Sequence, residues 1–179
     1  MSSRKYRKDY TLTPEVDLKG RLRPVASYIG DYFRFTAPDA DVRAAKIRYA
    51  VLGVLAAATL FVLLFFSDIF DWNHRYLSLP MALNVIPAFG VGMGIGRFCT
   101  AQELMTRKLR DRICDRLPAF SMFFMVFSFL SVACAAAYLI LAGFTAVRLL
   151  YALDAALMFA LSILIFAQRK ILAVETVKP

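Results

Sequence analysis

Four long apolar runs, separated by stretches that hold nearly all the charge, organise this 179-residue sequence. Tyr49–Phe66 has 18 residues without a charge and Tyr76–Gly96 has 21; Leu117–Val147 has 31, and Leu149–Ala167 has 19 with Asp154 as its one charge. About 20 helical residues cross the hydrocarbon of a bilayer, so each of the first two runs predicts one spanning helix. As a single helix the third run would reach about 46 Å at 1.5 Å per residue, well past a core about 30 Å thick. It has to turn, and Gly143-Phe144-Thr145 predicts a tight connection between a third and a fourth span.

The expected fold is an all-α integral membrane protein, a four-helix transmembrane bundle over residues 38–175. Its spans are predicted at about 47–67, 79–98, 118–142 and 146–167, with a basic connection over 99–117. Helix 1 is predicted to begin near Pro38, a residue suited to a first helical position, with Asp39 and Asp41 complementing the helix dipole. Residues 1–37 form a polar tail holding a candidate hairpin: Val16-Asp17-Leu18, a turn at Lys19-Gly20, then Arg21–Tyr28. A lone two-stranded hairpin is marginal in water, so order in this tail requires a surface. Tyr28, Tyr32, Phe33 and Phe35 are expected at the headgroup level, where amphipathic rings are favoured. Residues 176–179 form a short C-terminal tail.

Charge gives the orientation. Of 22 Lys and Arg, 20 fall in the N-terminal segment, the Arg97–Arg116 connection or the C-terminal segment; only Arg75 and Arg148 fall elsewhere. Basic residues near span ends are retained in the cytoplasm, which predicts both termini inside and a multi-pass protein of the plasma (inner) membrane. The expected partner of this basic face is anionic lipid of the inner leaflet. No nucleic acid is expected, because no nucleic-acid-binding motif accompanies the charge. Between Thr106 and Leu117 a helix is predicted, with Leu109, Ile113 and Leu117 on one face and an Arg107–Asp111 pair at i,i+4. It reads as an amphipathic segment on the inner surface or an extension of helix 3.

Metal and cofactor chemistry is not expected. Cys99, Cys114 and Cys134 include no Cys-x-x-Cys, and the one histidine, His74, is predicted on the opposite side. Asp68, Asp71, Asn73 and His74 in the short outer loop lack calcium-loop spacing, and the loop reads as an anchor around Trp72. Neither a cleavable signal peptide before the first apolar run nor a common lipid anchor is expected.

Helix 2 carries the most distinctive packing signal. Gly90, Gly92, Gly94 and Gly96 alternate, making two small-x-x-x-small pairs turned about 200° from one another. Each pair lets a neighbouring backbone come close. The two stripes predict either internal packing on both faces or one contact with another protomer or subunit. Pro87, just before them, is a candidate hinge.

Asp154 is the candidate for any chemistry. It lies nine residues in from Thr145, about 13 Å below the end of helix 4. A carboxylate at a helix centre costs roughly 2.5 to 3.5 kcal/mol to insert, and the large apolar residues of this run offset it by about 3 to 6 kcal/mol. Such a group usually faces protein or water. Tyr151 shares its face, Thr59 and Cys134 are expected at the same depth, and Asn84 and Tyr138 about one turn shallower, so one polar layer through the bundle is predicted.

Two functional classes follow. One is a non-catalytic subunit or assembly protein that packs through helix 2, as a homo-oligomer or with another membrane subunit. The other is a small oligomeric transporter or channel component with Asp154 and Asn84 on its pathway. An intramembrane enzyme has least support: there is no His-Glu-x-x-His, no Gly-x-Ser-x-Gly and no histidine within a span.

Overall fold

The computed structural model describes residues 6–16, 22–65 and 75–177. After a single 3-10 turn at Arg7–Asp9 come β1 (Tyr10–Val16), β2 (Leu22–Tyr28) and β3 (Tyr32–Phe35). The helices α1 (Asp39–Phe65) and α2 (Arg75–Thr100) follow, then β4 (Met105–Thr106). A helical lead-in, α-type over Arg107–Arg110 and π-type over Asp111–Asp115, runs straight into α3 (Arg116–Ala142). Last come α4 (Ala146–Ala167), a 3-10 turn (Gln168–Leu172) and β5 (Val174–Val177).

Four helices are long and apolar enough to cross a membrane. Each closes its own backbone hydrogen bonds, as hydrocarbon requires. Their outer faces are apolar: Phe89 is 69% exposed, Ile140 76% and Leu141 84%, a pattern that suits lipid as the solvent. Around the bundle α2 packs on α3, α3 on α4, and α1 against both α2 and α4. Gly143 ends α3 at φ 86°, a conformation glycine adopts without a Cβ clash. Two residues later the Thr145 hydroxyl caps α4 by accepting from the Arg148 backbone N–H at 3.3 Å. Arg148 also donates its guanidinium to the carbonyls of Ala142 and Gly143 and sits 5.0 Å over the Tyr138 ring.

The fold is not purely helical. β1 and β2 pair as an antiparallel hairpin from Tyr10↔Tyr28 to Val16↔Leu22; its turn, with Lys19-Gly20, lies outside the described residues. A second sheet has the order β4-β3-β5, both neighbours antiparallel to β3. The physical reason is long-range pairing: a four-residue strand has no stability alone, but β3 finds an edge on each side. This sheet joins the segments before α1, after α2 and after α4 at one end of the bundle.

The aromatic residues of the tail pack on protein rather than standing free. Phe35 is buried edge-on to Phe98 at 5.4 Å, and Tyr49 meets the same ring at 5.4 Å. Tyr10, Tyr28 and Tyr32 form an edge-to-face row with ring centres 5.2 and 5.1 Å apart. Tyr28 donates to the Asp31 carbonyl at 2.7 Å and accepts from the Arg107 backbone N–H at 3.1 Å. Burial, with help from Asp9, raises the Tyr28 phenol above its ordinary pKa against the opposing pull of that N–H.

Phe98 is fully buried where sheet and helices meet. Phe98→Ala is therefore expected to cost about 3–5 kcal/mol and to speed amide exchange across Val174–Val177. Unchanged exchange there, measured by mass spectrometry, would show that the sheet does not depend on this ring.

Candidate functional site

Each of the intramembrane polar residues Asn84, Thr59, Tyr151 and Asp154 has its own contacts. Asn84 on α2 is fully buried. Its amide donates to Ser131 Oγ at 2.8 Å, and its carbonyl accepts from Ser128 Oγ at 3.3 Å. Ser131 in turn donates to the Phe127 carbonyl at 3.0 Å. This is a clasp between α2 and α3 in which both ends of the amide are engaged. Ser128 and Ser131 were not singled out in the sequence; their signal was the spacing Phe124, Ser128, Ser131, Ala135, Tyr138, which puts every one of them on a single buried stripe of α3.

Thr59 is buried but turns back on its own helix, donating to the Ala56 carbonyl at 2.9 Å. Tyr151 reaches α2 and donates to the Leu77 carbonyl at 3.4 Å. Asp154 sits on α4 near Tyr151, which also has Cys134 as an electrostatic neighbour. It is half-buried, and its Oδ2 is buried with no hydrogen-bond partner among the described residues. Asn84 thus belongs to α2–α3 packing, whereas the neighbour shown for Asp154 is Tyr151, on its own helix.

The glycines divide just as sharply. A Cβ on Gly90 would strike the Phe120 ring, and one on Gly94 would come 2.8 Å from Leu117 Cδ1. Among the described residues, a Cβ on Gly92 or Gly96 would meet nothing within 4 Å. One stripe is therefore closed by α3 and the other is open. Gly92 lines an apolar groove of about 560 Å³ between α1 and α2. On the α1 side, Gly53 approaches Ile95 so closely that a Cβ would stand 3.0 Å from its Cδ1. Pro87 is buried, and α2 runs through both Pro80 and Pro87 as one helix.

At the sheet end a third polar group forms where the N-terminal segment meets the lead-in. Tyr6 donates to Asp111 Oδ2 at 2.9 Å, and Arg110 contacts Asp111 Oδ1 at 3.2 Å. Arg110 also lies 5.3 Å over the Phe33 ring, and Arg107 stands 3.9 Å from Asp9. Asp111 and Ile113, two residues apart and so on opposite sides of a helix, are both buried. The bundle covers Ile113; the N-terminal segment covers Asp111.

Among the described residues no cluster of three or more His, Cys, Asp or Glu is placed to hold a metal. His74, Trp72, Asp68, Asp71 and Asn73 lie outside the described residues. Compared with known proteins, the chain matches no family model, no curated protein and no solved structure.

Two stability tests follow from this geometry. Gly90→Ala is expected to cost about 1–3 kcal/mol by overpacking against Phe120, while Gly92→Ala leaves thermal stability equal or raises it by up to about 1 kcal/mol. A melting curve in detergent distinguishes them; equal losses would contradict the one-sided packing. Separately, a double-mutant cycle of Asn84→Ala with Ser131→Ala is expected to give a coupling of about 0.6–1.7 kcal/mol, and none if the clasp is not formed.

Proposed function

We propose that this protein is a non-catalytic membrane subunit or assembly protein, which associates through the open glycine face of α2 with a second copy of itself or with another membrane subunit. The observation that carries the reading is the contrast between Gly90/Gly94, filled by α3, and Gly92/Gly96, where an added Cβ would meet nothing within 4 Å among the described residues. In lipid there is no hydrophobic drive between helices, so close backbone approach at small residues is the usual basis of association. The distribution of the 22 bases supports placement in the plasma (inner) membrane with both termini cytoplasmic. The sheet supports this too, since it holds β3, β4 and β5 at one end.

The engaged state of Asn84 argues for a structural role for that residue. Asp154 favours a second reading, a small oligomeric transporter or channel component, through its buried and unpartnered Oδ2. In that reading Asp154→Asn abolishes proton or cation flux in reconstituted vesicles.

Gentle detergent extraction followed by native mass measurement tests the first reading. The wild-type chain is expected as a complex, and Gly96→Leu as a single folded chain. A wild type that is entirely monomeric, or a Gly96→Leu variant that keeps the complex, would overturn it.

A further inference from the structure

Two cavities on the same face of α1, one apolar and one charged, are spaced as the two ends of a phospholipid. The apolar one is the groove of about 560 Å³ between α1 and α2, with Ala57, Phe61, Phe89, Gly92 and Met93 among its lining. It exists because Ala57 and Gly92 add little bulk at its floor, while Phe61 and Phe89, 54% and 69% exposed, form its rims. The charged one, about 200 Å³, opens at the sheet end of α1 and is lined by Arg34, Arg43 and Lys46 together with Asp39 and Glu103.

Helix geometry relates the two. Lys46 precedes Ala57 by 11 residues, about 16 Å along the axis and within about 20° of the same face. Arg43 precedes it by 14 residues, about 21 Å and about 40° round. One leaflet of a core about 30 Å thick is about 15 Å deep. A lipid whose chain ends in the groove therefore has its phosphate at the level of Lys46 and Arg43.

The charges fit an anion. Arg34 is taken up by Asp39 at 3.1 Å. Lys46 uses one donor on the Ala101 carbonyl at 2.6 Å, and an ammonium has three. Arg43 is exposed. Against them only Glu103 remains among the lining carboxylates. A second protein helix in the groove would leave this cation pair unused, whereas an anionic phospholipid engages both cavities; with the lipid at Gly92, a partner helix contacts the open face at Gly96, outside the groove.

We propose that the α1–α2 face is a binding site for one anionic phospholipid, with an acyl chain in the groove and the phosphate held by Arg43 and Lys46. The proposal does not rest on the assembly reading: Gly96, whose substitution tests that reading, is not in the groove lining.

The test is native mass spectrometry of the full chain in detergent, titrated with equal amounts of phosphatidylglycerol and phosphatidylcholine. Wild type is expected to take up one phosphatidylglycerol at least fivefold in preference to phosphatidylcholine. Arg43→Gln is expected to lower that preference about fivefold, the equivalent of the roughly 1 kcal/mol a basic side chain gains near an anionic membrane surface. Arg43→Lys restores most of it, and Lys108→Gln, which removes the same charge away from both cavities, leaves it unchanged. Ala57→Leu, which fills the groove floor, reduces binding of either lipid several-fold. Equal uptake of the two lipids by wild type, an effect of Lys108→Gln as large as that of Arg43→Gln, undiminished binding by Ala57→Leu, or a lipid-free dimer as the only species would each overturn the proposal.

Discussion

The close approach of α2 to α3 is the contact on which the rest of the bundle depends. Between helices in hydrocarbon there is little to gain from burying one apolar surface on another, because lipid tails are as apolar as leucine. What remains is the fit of atoms at short range and a few hydrogen bonds. Gly90 and Gly94 supply the first by admitting Phe120 and Leu117 to positions a Cβ would occupy. Asn84 supplies the second through Ser131 and Ser128, about two to three turns earlier on α2. The two devices act on the same face. The glycines fix how near the helices stand, and the amide fixes their rotation and register, because it is satisfied at both ends only when those two serines lie opposite it.

Outside the membrane-spanning bundle, water is the solvent and the logic reverses. There the apolar side chains of the tail do gain from burial, and Phe35 and Met105 take it against the ends of the helices. The three-stranded sheet makes this cooperative, since β3 pairs with the segment following α2 and with the segment following α4. Ends of helices that lipid alone would leave free to splay are thereby held in one register. The lead-in extends the same coupling: it is continuous with α3, so the Tyr6–Asp111 contact bears directly on a spanning helix.

How much of this could be read from the sequence follows from the range of each interaction. The four spans depend on local composition and length, and the turn at Gly143 on one residue's conformational freedom, so both were legible. The glycine stripes were legible as a pattern, but which stripe is filled depends on where α3 lies, and that is a tertiary fact. Counting depth along each helix placed Asn84 and Asp154 within about a turn of each other but gave no partner for either, because direction around the axis, not depth, decides what a side chain meets. The serines gave no signal of their own, since a lone serine in an apolar run equally well bonds back to its own helix, as Ser162 does to Phe159. The strands were lost for the opposite reason. Met105–Thr106 and Val174–Val177 are too short to show a period, and their partner lies far away in the chain.

The contrast between Asn84 and Asp154 bears on what polar groups do in this bundle. Both are costly in hydrocarbon, and a chain that kept them only for packing would satisfy both. Asn84 meets that condition with two side-chain partners on α3. Asp154 has Tyr151 for a neighbour and still leaves Oδ2 buried and unpartnered among the described residues. The insertion of α4 is correspondingly close to balance, its apolar residues offsetting the carboxyl with about 3 kcal/mol or less in hand. On either reading proposed above, that oxygen would be met from outside the described residues, by a neighbouring helix that completes its hydrogen bonding or by an ion that crosses beside it. Packing accounts for Asn84.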